Sequence, residues 1–475
     1  MRRWLRRPEA ALFALVFGAF AYFYQAGGWN QNVHFDLTRA VVEDHALVID
    51  RLHGNTGDLA KKDGHFYCDK APGLSLAGAL PYAIVVTIAG PPNNVVALGT
   101  MSWLVTVLAV ALPSALGVVA LALLLGALGV RAGPRYALAA AWGLATLALP
   151  YSTLFYSHQV AAALLVIAFA MIVRIARGVD PASKVRLAMI GAVGAWAIVV
   201  EYPAAIAAIA IGVYAIRALR PRQILWIVVG GLGPALVLAW YHTAAFGAPW
   251  HLPYDYSTQG NRSQGFFMGI GTPHAQATWG ILGSPFRGLF YSAPWLLLAI
   301  PGAVRMWRRG ARAEMIVCAA IAILFVWMNA SLVDWDGGWA IGPRYIVPCV
   351  PFLVVMVGGL ALPPAIRAPR PAKVIVALLV GYSAFLMFAG TAVQPEVDGA
   401  IKAPITQYIL PHLARGEIAT SDQSIDMAGR DRHGARYAWN LGEQLGLGGL
   451  FSLAPLVLWC GAWSYVLARR ARATQ

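Results

Sequence analysis

The amino-acid sequence predicts an all-α polytopic membrane protein, a bundle of about fourteen (roughly twelve to fourteen) transmembrane helices with long polar loops on one side. Three observations carry this. Of its 475 residues, 59% are apolar and only 12% are charged, whereas a soluble domain is about half apolar and about a quarter charged. Apolar stretches of the roughly twenty residues that a helix needs to cross hydrocarbon recur from Ala10 to the C-terminus, without the period-two alternation of a membrane β-barrel. Basic residues, finally, concentrate in every second connection, from which acidic ones are almost absent.

In chain order the expected spans are 10–26, 73–90, 95–112, 114–130, 136–150, 157–175, 186–200, 203–217, 223–243, 286–304, 314–330, 344–361, 374–393 and 447–468. Segment 95–130 is too long for one crossing and tight for two; Leu112-Pro113-Ser114 suggests a hairpin, and the charge bias favours two. With that choice 23 of the 36 basic residues but only three of the 21 acidic ones (Glu9, Asp180 and Glu314) lie on one side, leaving +20 there and −5 elsewhere. The positive-inside rule makes that side the cytoplasm and puts both termini in it, in an inner, cytoplasmic membrane. The net charge of +15 is thus explained by topology, and no nucleic-acid partner is needed; the bilayer is the first partner. Residues 1–26 also resemble a signal peptide; either way the next loop is exported. Cys68, Cys318, Cys349 and Cys460 show no spacing of a disulfide framework or zinc site.

The chain reads as one transmembrane domain, 1–475, with outer segments 27–72, 244–285, 331–343 and 394–446 large or polar enough to hold chemistry. The first concentrates carboxylates: Asp36, Glu43, Asp44, Asp50, Asp58, Asp63 and Asp69. Its stretch 35–48 is patterned as an amphipathic helix lying at the membrane surface, with Asp36 and Arg39 on one face. It ends in Asp69-Lys70-Ala71-Pro72, directly before a span. Two further blocks stand where spans enter from outside, Ser284-Pro285-Phe286-Arg287-Gly288-Leu289-Phe290 and Gly337-Gly338-Trp339-Ala340-Ile341-Gly342-Pro343-Arg344-Tyr345.

The acidic first loop, its Asp-Lys-Ala-Pro ending and these two blocks together resemble the GT-C superfamily of integral-membrane glycosyltransferases, nearest the protein O-mannosyltransferase and aminoarabinose-transferase branch. The resemblance implies an inverting, polyprenyl-phosphate-sugar-dependent glycosyltransferase that moves a sugar from its lipid carrier to an acceptor hydroxyl on the outer face. Members usually carry an acidic pair soon after the first span. Here Gln31-Asn32 stands there, and Asp36 is the nearest carboxylate.

Such a reaction needs a carboxylate within reach of the acceptor proton; Asp36 is the first candidate, with Asp58 and Asp69 behind it. It also needs cations for the departing phosphate. Lys70, Arg287 and Arg344 stand at helix starts, where the dipole favours anions and a guanidinium adds a forked donor. Asp334 and Asp336 could bind a divalent cation or sugar hydroxyls, no cofactor being otherwise called for. Trp339 could stack on a sugar, and Glu201, a carboxylate at a span end, could contact the sugar or acceptor, with an ion pair or helix cap as the plainer reading. His158, beside Tyr151 and Tyr156, reads as a surface histidine. Tyr254, Asp255, Asn261 and Arg262 give the 244–285 loop a carbohydrate-binding mix. The alternative is a transporter or flippase of a lipid-linked or polar solute, but its charges would sit near the bilayer midplane beside broken helices. Here they cluster at span ends.

Overall fold

Runs of Ala, Leu, Val and Ile with prolines at helix starts dictate a helical chain, since a proline in the first turn lacks only an N–H that would go unpaired there. A computed structural model describes residues 7–259, 269–364, 369–426 and 436–473. Its main helices are α1 (Pro8–Phe20), α2 (Trp29–Arg39), α3 (Gly73–Ala89), α4 (Val95–Ala127), α5 (Ala132–Leu144), α6 (Ser157–Ala176), α7 (Lys184–Val200), α8 (Ala204–Ala218), α9 (Pro221–Phe246), α10 (Ala299–Arg308), α11 (Arg312–Ala330), α12 (Arg344–Ala361), α13 (Arg370–Val393) and α14 (Gly449–Ala473). Among the described residues α4, α6, α9, α11, α12, α13 and α14 are long and apolar enough to cross a membrane, and α1, α3 and α8 are shorter apolar helices. Among the described residues sheet is confined to two antiparallel pairs, β1 (Phe23–Tyr24) with β4 (Trp439–Asn440) and β2 (Leu59–Lys62) with β3 (His65–Cys68). The protein is all-α and multi-pass.

The expected spans 73–90, 95–112 and 114–130 are corrected. Val95–Ala127 is one continuous helix, with a π-helical stretch at Val107–Ala111 just before Pro113. The wider turn accommodates a proline that an ordinary α-helix interior would resist. The preceding α3 packs through its first half against elements at one end of the bundle. Gly73 abuts the backbone of Val199 and Val200 at the end of α7, Gly78 faces Phe155 and Thr38, and Tyr82 donates to Glu43 (2.5 Å). Three expected crossings become one, so the sidedness of everything downstream is unchanged.

The first loop is also more deeply packed than an interfacial helix would be. All of Asn30–Arg39 is buried, and Arg39 pairs with Glu43 (2.9 Å), not with Asp36. Segment 394–446 lies against the start of this loop through the β1–β4 pair, through Gly27 N donating to Gln423 O (2.8 Å) and through Asn32 Nδ2 donating to Ser424 O (3.1 Å).

Helices pack closely where small residues allow it, as lipid-immersed helices require in the absence of a hydrophobic drive between them. A Cβ on Gly191 of α7 would come within 1.8 Å of Ile227 O in α9, and one on Gly230 within 1.9 Å of Ala188 O. The apolar window of α9 is only 6% buried, and its outward Leu, Val and Trp side chains present the surface that lipid would cover. The end carrying Lys184, Arg174 and Arg177 ties itself together with Arg177–Glu314 (2.7 Å), Arg174–Asp180 (2.7 Å) and Tyr136 donating to Glu9 (2.6 Å). The opposite end, about 30 Å away along the twenty residues of α6, holds the site.

Candidate active site

At that end the outer connections converge on a small hollow, with Asn30, Lys70, Ser157, His158, Glu201, Tyr202, Tyr254, Arg344 and Tyr345 in its wall. Residues from six separated parts of the chain thus share one space. Their positions follow from helix ends: His158 opens α6, Glu201 terminates α7, and Arg344 opens α12.

Lys70, 7% exposed, is held between two first-loop carboxylates, Asp58 Oδ2 at 3.1 Å and Asp69 Oδ1 at 3.0 Å. Asp58 also accepts from Gln259 Nε2 (2.7 Å), which fastens the 244–259 part of the neighbouring loop over the β2–β3 hairpin. Arg344 is set differently. Its Nη1 donates to Tyr156 (3.2 Å) and its Nη2 to Tyr345 (3.4 Å), while its Nε is buried without a partner. Among the described residues no carboxylate lies within ion-pair distance of it. Tyr345 in turn donates to Asp334 Oδ2 (3.2 Å).

His158 Nδ1 lies 2.9 Å from Glu201 Oε2, and the same carboxylate accepts from the Ser157 hydroxyl. Burial opposes the charge of Glu201, but the His158 ring and the Ser157 hydrogen bond outweigh it and hold the carboxyl at about 2. His34, buried nearby and 3.1 Å from Ser75 Oγ, is pushed down to about 3 by burial and then by Lys70, so it stays neutral. Tyr202 donates to His242 Nε2 (2.8 Å), whose Nδ1 faces Pro249 O (3.0 Å).

Several expected residues lie elsewhere. Asp36 is fully buried and outside the wall of the hollow, accepting from Asn55 Nδ2 (3.2 Å); burial pushes its carboxyl well above the usual carboxylate range. Arg287 is fully buried too, and its guanidinium donates to the carbonyls of Asp336 (2.9 Å), Ala340 (2.7 Å) and Gly338. It clamps the 331–343 loop, where phosphate binding was expected. Asp336 caps the backbone N–H of Gly338 (3.0 Å), and Trp339 is 42% exposed away from the hollow. Asn261 and Arg262 lie outside the described residues. Among the described residues no three His, Cys, Asp or Glu side chains gather as metal ligands.

The sequence matches no family model and no curated protein. Among solved structures the chain is similar to ArnT from Cupriavidus metallidurans bound to undecaprenyl phosphate; the match covers 98% of this chain and 76% of that one, with a TM-score of 0.51 and 15% identity. The fold is GT-C. Two weaker matches are to an archaeal protein from Archaeoglobus fulgidus, about half of whose length this chain spans. One is the oligosaccharyltransferase in the apo form (82% of this chain, 56% of that, TM-score 0.46, 11% identity), the other AglB in complex with an inhibitory peptide and a dolichol-phosphate (80%, 54%, 0.44 and 11%).

Within this fold two residues escaped sequence reasoning. His158 is 4% exposed, not a surface histidine. The signal available was a histidine opening an apolar helix among tyrosines. Glu396 had none. It sits behind Arg344, accepting from Tyr156 (2.5 Å) and Gln31 Nε2 (2.6 Å), against the first turn of α2. Gly28 at that turn has φ 151°, and a Cβ there would lie 2.5 Å from Glu396 Oε1, so only glycine lets the carboxylate approach. Gln31 therefore holds a carboxylate brought from a distant part of the chain.

Proposed function

We propose that this protein is a transferase that takes a sugar from a polyprenyl-phosphate carrier and passes it, with inversion, to an acceptor hydroxyl on the outer face of the membrane. The observation that carries this reading is Arg344: a guanidinium in the wall of the hollow whose described polar contacts are phenols and whose Nε is unpartnered. Such a group is matched to an anion, and a phosphate oxygen fits the forked donor. Lys70 shares the wall, so two cations brought from distant parts of the chain face one space where a phosphate monoester would be released. Asp58 and Asp69 fix the Lys70 ammonium in place. The undecaprenyl phosphate bound to ArnT, in the same fold, supports this ligand class.

The test is binding and turnover by the purified chain in liposomes. Arg344→Gln and Lys70→Met are each expected to weaken undecaprenyl phosphate binding ten- to hundredfold, the worth of one charge-assisted hydrogen bond of about 1.5–3 kcal/mol. Arg287→Met is expected to lower the unfolding temperature instead, because it strands buried carbonyls. Unchanged lipid affinity in both cavity variants, or uptake of a lipid-linked sugar without transfer to any acceptor, would sink the transferase reading.

A further inference from the structure

We infer that His158, with Glu201 behind it, is the group that takes the acceptor's proton; the inference rests on the transferase reading and adds to it the identity of the base. Three observations converge. First, both side chains stand in the wall of the hollow that Lys70 and Arg344 share, so a hydroxyl poised to attack a sugar whose phosphate is held by those cations comes within their reach. Second, His158 Nδ1 lies 2.9 Å from Glu201 Oε2, within ion-pair distance though outside hydrogen-bond geometry, and Nε2 is buried without a hydrogen-bond partner among the described residues. A ring held against a carboxylate on one side leaves its other nitrogen as the proton acceptor. Third, the ring is locked: Tyr151, Tyr156 and Tyr345 meet it edge-on with centroids 6.1, 5.9 and 5.7 Å away. By contrast, the first-loop carboxylates are engaged elsewhere, Asp36 in the protein interior and Asp58 and Asp69 on Lys70.

The step balances without a further reactant. The acceptor oxygen bonds to the anomeric carbon as the bond from that carbon to the phosphate oxygen breaks. The electron pair leaves on the phosphate, opposite Lys70 and Arg344. The hydroxyl proton passes to Nε2 of His158, and the imidazolium formed lies beside the Glu201 carboxylate until it returns the proton to water. His158 is the catalytic residue and Glu201 the positioning one. The charged and titratable groups facing the ring are Glu201, the three tyrosines, Lys70, Arg344 and His34; of these Glu201 alone is an acid in contact with it.

The experiment uses the full chain in liposomes with a panel of radiolabelled undecaprenyl-phosphate hexoses, following sugar released to lipid or water from pH 5 to 9, with undecaprenyl phosphate binding measured in parallel. His158→Gln is expected to lose at least about a hundredfold in kcat with lipid affinity within threefold of the unchanged protein. Glu201→Gln is expected to lose about tenfold and to move the acidic limb of the pH profile to lower pH, because the imidazolium loses its counter-charge. Turnover by His158→Gln within threefold across the range would overturn the inference, as would equal loss of binding and turnover, which assigns His158 to packing. No release by the unsubstituted chain from any donor would instead remove the transferase reading itself.

Discussion

Glu396 shows how one residue's environment becomes a property of the protein. Burial pushes its carboxyl up from 4.5 to about 7, against hydrogen bonds from Tyr156 and Gln31 and the charge of Arg344, which favour ionisation. Between those pH values the folded chain keeps a proton that the unfolded chain has lost, so stability falls as pH rises from about 4.5 to about 7 and is level above that. A shift of this size corresponds to about 3 kcal/mol. Glu396→Gln carries no such proton. The unfolding midpoint of the unsubstituted chain in detergent is therefore expected to drop between pH 5 and pH 8 more than that of Glu396→Gln; parallel curves would show that Glu396 titrates normally. The burial that opposes ionisation of Glu396 also leaves Arg344, reached through Tyr156, less neutralised at that side of the hollow. The sequence showed Arg344 at a helix start, but not Glu396, because 240 residues separate it from Tyr156.

At the scale of elements, helix ends do the positioning. A helix start offers unpaired N–H groups and a side chain projecting past the last turn, and this was legible at Arg344. Arg287 occupies a comparable place in the sequence, yet it points inward to three carbonyls. Only the path of the 331–343 loop, which no local pattern specifies, separates the two. The same limit explains the 95–130 segment: Pro113 reads as a break unless a π-helical turn absorbs it, and that turn has no compositional mark. The α7–α9 contact rests on backbone approach at Gly191 and Gly230. Gly230→Leu is expected to force these helices apart and lower the unfolding temperature by several degrees, with new protease cleavage near 219–221, whereas Gly233→Leu, with nothing within 4 Å of its Cβ, is expected to leave both unchanged. Equal behaviour of the two variants would refute the close contact.

At the scale of the whole molecule, the outer connections meet at the hollow while basic tethers gather at the far end. The sidedness inferred from charge predicts the outcome of reporter fusions. Alkaline phosphatase joined after Gly54 or Asp398 is expected to be active, and joined after Gly178, Gly310 or Arg472 inactive, with fluorescence of a cytoplasm-only reporter showing the reverse. A phosphatase-active C-terminal fusion would invert the topology and place the hollow in the cytoplasm.

Composition and charge placement alone determined that this chain is a helical membrane protein, which ends of its helices lie together, and which loops are rich enough to work. These properties are sums over many residues and survive local error; three crossings could collapse to one without disturbing them. Tertiary structure decided the site. Whether a carboxylate is buried beside an amide, as Asp36 is, or faces a histidine across a cavity, as Glu201 does, depends on contacts between residues tens to hundreds of positions apart. No local period or motif encodes a meeting of that kind; packing of the whole bundle does.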